Sequence, residues 1–331
     1  MKTLHSEINI CYACDDKYAP YLGIAMLSVM QTHPHENIHF YVLDNGISNK
    51  NKIKLEKTVL APYQLDFIPV SEDLFESYPI SKKSHFTPAI FYRLKIPELL
   101  GHLDRVLYLD VDTLVRGNLR PFYDMEMEDK CFGMIKDVIE EWHCNRVNLP
   151  AYYNSGVILF NIKACQQKNI VQQLLDGCLL YPNSKFPDQD IINIVGKEDI
   201  VSASFIYNAQ ILSTSSQSIN FFNNNMKEIK ILHYVGEQKP WSIRGNPFEL
   251  YYFQIWAKSL WKKDLHLLMF KRYRRFLFSQ VKMDGVKTNY ILGIPVMRRQ
   301  RKGNNKTVWI LGMKVLEKKV KIKYIQDEGM H

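Results

Sequence analysis

The chain reads as an α/β protein: a mixed, mostly parallel sheet flanked by helices, followed by a small basic extension. Three observations predict this. Short apolar strand-like runs alternate with helical segments through the first 260 or so residues, the pattern of βαβ units. One run, Val106 to Leu109, is apolar at every position, as strands buried on both faces are. Charge is also divided unevenly. Residues 266–331 hold 16 Lys or Arg against four acids, a net of +12, whereas the other 265 residues hold 27 against 30, a net of −3. The organisation expected is therefore a main domain over 1–264 and a basic, aromatic region over 265–331.

In order, a strand is expected at about 7–13, then a helix from Tyr21 to Thr32, with Pro20 suited to a helix start. Strands follow at 38–44 and 64–70, with a helix over "NKNKIKLEKTVL" between them. A helix near 88–100, led in by Pro88, precedes the strand at 105–110. Short strands at 131–136 and 156–161, helices at 169–181 and 188–195, a strand at 228–235 and an aromatic helix at 247–264 complete the main domain. Beyond it, "MFKRYRRFLFSQVK" places bulky apolar residues between basic ones. "NYILGIPVMRR" and "VWILGMKVLEKK" then repeat an apolar alternation around Leu-Gly, readable as two strands of a small sheet.

No run of about 18 apolar residues is present, so no membrane-spanning helix is expected. The N-terminus lacks a signal peptide's apolar stretch, because His5, Ser6, Glu7 and Asn9 interrupt it, and the expectation is a cytoplasmic protein. Of the six cysteines, Cys11 and Cys14 lie closest together, in a strand-like run with no second pair to complete a zinc site. Reduced, buried thiols are expected.

The stretch "RVLYLDVDTLVRG" runs its apolar residues into Asp110 and Asp112, two apart, which on an extended chain share one side. Like charges that close raise each other's pKa unless a cation lies between them. Three readings are open. Strand-end acids can cap a turn. A phosphatase of the haloacid dehalogenase type also places a DxD after a strand, but wants a threonine two residues beyond its second Asp, near the N-terminus. Here Thr113 follows at once and several elements come first. The third reading is the DxD of a nucleotide-sugar glycosyltransferase, in which a divalent metal joins the carboxylates to a diphosphate.

Five ordered blocks extend this last reading. They are "NICYACDDKYAPYLGIAMLSV", "HFYVLDNGIS", "FYRLKIPELL" with "DRVLYLDVDTLVRGNL", "YYNSGVILFNI" with "FPDQDIIN", and "LHYVGEQKPW". Over residues 7–260 the chain resembles the retaining glycosyltransferases of family 8, in particular those that add galactose or glucose to bacterial lipopolysaccharide.

The resemblance implies a GT-A fold and assigns roles. Ala13, Asp15 and Asp16 would bind the uracil and ribose, against the alternative of a plain turn. Asp110, Asp112 and His233 would be metal ligands, with Val111 among the donor-binding positions. A nitrogen ligand beside two carboxylates favours Mn²⁺, with Mg²⁺ second. Gly236 and Lys239 would approach the diphosphate, Gly by leaving backbone exposed. Glu237 and Gln238 depart from the family pattern and carry no role. Arg93 would bind sugar and phosphate, or else form a helix-surface ion pair. Asp137, Asn154, Asp188 and Gln189 would line the sugar pocket, although an acid in "DQD" can instead cap its helix.

The family position best placed to be a nucleophile falls on Gln189, whose amide oxygen is feeble. A front-face substitution is therefore favoured, with Asp188 or Asp190 as nucleophile the alternative. The partners implied are a UDP-hexose donor and an oligosaccharide or lipid-linked glycan acceptor. The basic, aromatic residues 266–331 suit an anionic membrane surface, each cation contributing roughly 1 kcal/mol, and this makes the protein peripheral on the inner face of the cell membrane. Nucleic acid is the competing partner for such a segment, and a sugar-transfer domain gives no reason for it. Outside hexosyl transfer to lipopolysaccharide, the alternatives are a sugar-nucleotide-binding protein without turnover, or transfer to protein or another glycan.

Overall fold

The computed structural model describes residues 6–70, 88–212, 215–283, 286–291, 294–302, 305–311 and 313–319. The chain forms two compact units, Met1–Lys262 and Lys263–His331. The strands of the first are β1 (Ile8–Asp15), β2 (Ile38–Asn45), β3 (Gln64–Pro69), β4 (Arg105–Leu109), β5 (Thr113–Val115), β6 (Phe132–Lys136), β7 (Tyr153–Asn161), β8 (Ile200–Ser202), β9 (Ala209–Gln210) and β10 (Ile231–His233). Among the described residues, seven form one sheet in the order β3-β2-β1-β4-β7-β6-β8. β3, β2, β1 and β4 run parallel. β7 is antiparallel to both β4 and β6, and β8 is parallel to β6. The sheet is mixed and mostly parallel, as expected.

The reversal at β7 matters for the site. Because β7 runs against β4, its first residues meet the carboxyl end of β4: Val157 pairs with Leu109, and the Asp110 N–H donates to Gly156 O at 2.8 Å. Asn154 and Ser155 therefore arrive beside Asp110. β7 is buried from Asn154 through Phe160, and Tyr108, Met134, Ile158 and Phe160 join Phe91, Tyr92 and Leu94 in one core. Fully burying one such side chain is worth about 1.5–3 kcal/mol.

A small second sheet, β5-β10-β9, carries the other half of the site. Ser28, on the helix Ala19–Thr32, accepts the Val115 N–H at 3.0 Å and so ties β5 to that helix. β10 pairs antiparallel with β5, placing His233 opposite Thr113.

Some boundaries differ from expectation. Residues 88–100 form a 3-10 helix, Pro88–Lys95, and then a short α-helix, Ile96–Leu99. Pro97 sits in the first turn of the second, where its missing N–H cannot continue the hydrogen-bond ladder of the first. The aromatic helix is Glu249–Trp256, and a second helix begins at Lys262. Ser259, donating to Trp256 O and accepting the Trp261 N–H, ends the first of these. Five of the six cysteines are buried, Cys144 is half-buried, and all are free.

The second unit contains all but the first residue of the helix Lys262–Leu277 and an antiparallel meander of β11 (Phe278–Met283), β12 (Val286–Ile291), β13 (Ile294–Lys302), β14 (Asn305–Ile310) and β15 (Met313–Lys319). Each copy of the repeat spans two strands, and with β11 these four make a sheet of five where a pair was expected. Leu292, Gly293 and Gly312 lie outside the described residues. No helix among the described residues is long and apolar enough to cross a membrane.

Candidate active site

Asp110 follows β4, and Val111 and Asp112 then turn instead of extending. The Thr113 N–H and hydroxyl both donate to Asp110 O, at 3.1 and 2.7 Å. The common direction of the two carboxylates comes from this turn and not from strand alternation. His233, at the end of β10, completes the group: its Nε2 lies 3.1 Å from Asp112 Oδ1 and 3.9 Å from Asp110 Oδ2. One ligand atom from each of the three residues falls within 4.8 Å of the others. Only glycine fits beneath them, since a Cβ on Gly156 would stand 2.3 Å from His233 Cε1 and 2.8 Å from Asp110 Oδ2.

Each carboxylate has one oxygen held by a basic residue. Arg93 Nη2 lies 3.0 Å from Asp110 Oδ1, which also accepts the Tyr108 hydroxyl at 2.7 Å. The same guanidinium donates to Ser155 O at 2.7 Å and lies 3.3 Å from Asp188 Oδ2. Lys239 donates to Asp112 Oδ2 and to Tyr234 O. Burial alone would raise the Asp112 carboxyl, but the Lys239 ammonium beside it outweighs this and holds it well below the usual carboxylate range. Burial works against the charge on Arg93 too, and Asp110, Tyr108 and Asp188 overcome it. Burial raises the Asp188 carboxyl despite Arg93.

The protonation of His233 follows from a chain of hydrogen bonds that begins at a backbone donor. The Gly156 N–H donates to Asn154 Oδ1 at 3.0 Å, which orients that amide. Asn208 Nδ2 donates to the same oxygen at 2.9 Å, so Asn208 Oδ1 faces His233 Nδ1, also at 2.9 Å. Nδ1 therefore carries the hydrogen and Nε2 presents its lone pair to the two carboxylates. Asp112 Oδ1 is buried and receives no hydrogen bond. A ring nitrogen and two carboxylate oxygens converging on one point fit a divalent cation.

The residues expected to line a sugar pocket form one network. Gln189 Oε1 receives the Ser155 N–H at 3.0 Å and Asn154 Nδ2 at 3.1 Å. Gln189 Nε2 donates to Asp137 Oδ2, as Asn154 Nδ2 also does. Asp188 Oδ2 accepts the Ser155 hydroxyl at 2.9 Å. Asp190, two residues on, faces elsewhere: Arg146 binds both of its oxygens and Tyr152 donates to Oδ1. Asp15 Oδ1 accepts the Tyr18 N–H, and Asp16 Oδ1 accepts from Ser48 N and Asn51 Nδ2. Those hydrogen bonds, Ser48 first, lower the Asp16 carboxyl. Ala13 lies on β1 two residues before its end. The Gly236–Trp241 loop reaches the same end of β1, because Trp241 stacks on Tyr21 at 3.9 Å. Gly236 sits at φ +73°, the left-handed region that glycine favours. Sequence reasoning missed Tyr108, Ser155, Gly156 and Asn208. A glycine inside the apolar run of β7 was the one available signal, since strand glycines mark close approach.

Beside this network lies an open pocket of about 540 Å³. Asp137 and Asn208 form its polar edge, and Val138, Ile139, Phe205 and Phe221 contribute apolar walls.

The family model of glycosyl transferase family 8 matches residues 9–244. The chain belongs to that family. This transferase is 26% identical over 272 residues to general stress protein A of Bacillus subtilis, covering 77% of this chain and 94% of that one. It is 26% identical over 303 residues to a lipopolysaccharide 1,2-glucosyltransferase of Escherichia coli K12, covering 84% and 88%. A crystal structure of the galactosyltransferase LgtC, in complex with donor and acceptor sugar analogues, superposes with a TM-score of 0.68 at 28% identity, covering 78% of the transferase and all of that chain. The transferase accordingly has the GT-A architecture. Divalent metals are common in GT-A enzymes of this family, and the Asp110–Asp112–His233 cluster suits one.

Proposed function

We propose that the transferase moves galactose or glucose, with retention, from UDP-hexose to a saccharide of the lipopolysaccharide or lipooligosaccharide core or another surface glycan. The observation that carries this is the convergence of the His233 Nε2 lone pair on Asp110 and Asp112. These three residues would hold Mn²⁺, which suits imidazole better than Mg²⁺ does. When bound, the ion supplies Lewis-acid stabilisation to the departing nucleoside diphosphate. Arg93 and Lys239 offset the charge of the carboxylates they pair with, and Gly236 exposes backbone near the diphosphate. Ala13, Asp15 and Asp16 bind the nucleoside, with Val111 against it, while Asp137, Asn154, Asp188 and Gln189 orient the hexose.

Two donors already occupy the Gln189 amide oxygen, which makes it a still weaker nucleophile. Both oxygens of Asp190 are held, and Asp188 is paired with Arg93 and Ser155. This favours front-face substitution: the acceptor hydroxyl bonds to the anomeric carbon from the side on which the C–O bond to the phosphate breaks, and the leaving phosphate takes the hydroxyl proton. The acceptor occupies the apolar pocket beyond Asp137, with sugar C–H faces against Phe205 and Phe221. The basic second unit rests on an anionic membrane surface on the cytoplasmic side, where a lipid-linked acceptor is presented.

The test is release of UDP by purified protein from a panel of UDP-sugars, with Mn²⁺, with Mg²⁺ and with chelator. Release from UDP-galactose or UDP-glucose that depends on metal supports the reading. Binding without release, or release unaffected by chelator, contradicts it.

A further inference from the structure

The meander of the second unit sorts its residues by end. β12 and β13 pair up to Ile291 opposite Ile294, and β14 and β15 up to Ile310 opposite Met313. These two hairpin ends are neighbours, since Met297 pairs with Ile310 and the Leu311 N–H donates to Val296 O. The apolar residues there are exposed: 60% for Ile294, 63% for Leu311 and 67% for Met313. Adjacent to them, one register row holds Arg298 opposite Trp309 and Trp309 opposite Lys314, with the Arg298 guanidinium 5.5 Å from the indole centroid. The far end is different in kind. Its rows hold Arg301 opposite Lys306 and Lys306 opposite Lys318, all exposed.

We propose that the meander docks end-on to an anionic bilayer, with the Ile291/Ile294 and Ile310/Leu311/Met313 hairpin ends entering the boundary between headgroups and acyl chains. Arg298, Trp309 and Lys314 then lie at headgroup level. This rests on the reading of the second unit as a membrane surface and adds which part of it enters. The dimensions agree. At about 3.3 Å per strand residue, Leu311 reaches roughly 7 Å beyond Trp309 and Ile294 roughly 13 Å beyond Arg298, so strands oblique to the surface bring both tips to the 5–10 Å at which interfacial segments bury. Indole and guanidinium beside an apolar tip are what a boundary between hydrocarbon and anionic headgroups accommodates. A phosphate backbone would meet the cations but gains nothing from exposed Ile294, Leu311 and Met313.

Flotation of the full chain with vesicles containing phosphatidylglycerol tests this, using an Ile294→Asp/Leu311→Asp variant and an Arg301→Glu/Lys318→Glu variant. Partitioning of the first should fall at least about tenfold. The second, more than a Debye length from the surface in the end-on pose, should change less than about threefold. Equal loss in both, or no loss in the first, overturns the end-on placement while leaving membrane binding in force. No flotation of the unaltered protein overturns both. Quenching of the unaltered protein by lipids brominated along their acyl chains guards against a misfolded variant. Trp309 should account for much of it, so that Trp309→Phe loses the difference; equal quenching in the two proteins refutes the pose. Displacement of the protein from vesicles by short single-stranded RNA, abolished by the Ile294→Asp/Leu311→Asp change, would assign the tips to nucleic acid instead.

Discussion

His233 Nε2 faces Asp112 Oδ1 across 3.1 Å, while its Nδ1 is committed to Asn208 Oδ1 at 2.9 Å. Asn208 thus acts as a positioning residue: it sets which nitrogen of His233 is free, without itself reaching the carboxylates. Loss of such a partner weakens metal binding by about 10–100-fold. Asn208→Leu should do so in an Mn²⁺ titration followed by electron paramagnetic resonance. Asn208→Asp, which still accepts from Nδ1, should recover most of the affinity. Equal affinity in all three proteins would show that the tautomer does not matter.

Gly156 lets His233 and Asp110 approach. Gly156→Ala should force both aside and cost about 1–3 kcal/mol of stability through overpacking. It should also remove the rise in melting temperature that Mn²⁺ brings to the unaltered protein. A variant with normal melting and a normal metal response would mean that the three ligand atoms need not be this close.

Asp188 and Asp190 are two residues apart and have different tasks. Asp190→Ala strands Arg146 and the Tyr152 hydroxyl, and should cost about 3 kcal/mol in denaturant unfolding. Asp188→Asn should spare more of the stability and lower kcat for UDP-hexose. Folding losses of the same size would remove the distinction.

Gln189→Ala should leave appreciable transfer activity, because front-face substitution asks no covalent bond of it. Loss of more than about 5 kcal/mol of transition-state stabilisation, read from kcat/KM, would argue for a direct role in bond making.

His33 gives stability a pH dependence. Burial lowers its pKa, with Arg120 adding to this and Val29 O and Glu36 opposing. The neutral ring donates from Nδ1 to Val29 O and accepts the Leu119 N–H at Nε2. The folded pKa lies below the unfolded value of about 6.5. Its contribution is therefore complete above about pH 6.5 and is lost as pH falls from there through the folded value, at up to about 1.4 kcal/mol per pH unit. His33→Gln should flatten the fall in stability between about pH 7 and pH 5. Parallel curves for the two proteins would refute this.

How much of this was legible depends on whether each relationship is local. The β4 run and the carboxylates after it are contiguous, so strand and candidate ligands could be read together. His233 was reachable through its block at the end of an apolar strand. Asn208 was not, because its meaning lies in contacts with Asn154 and His233, 54 and 25 positions away. β5 is three residues long, too short for any periodicity to mark. The meander was read as two strands because basic residues crowded at one end of β13, β14 and β15 break the alternation that marks a strand. The shared direction of Asp110 and Asp112 was anticipated for the wrong reason, since a turn aims them and not an extended chain.

The central claim is that Asp110, Asp112 and His233 hold a divalent cation. The most direct measurement is anomalous diffraction at the manganese edge from crystals of the protein grown with Mn²⁺ and UDP. The account predicts one strong peak in contact with a carboxylate oxygen of Asp110, one of Asp112 and Nε2 of His233. A peak elsewhere, or none there while UDP is bound, would contradict it.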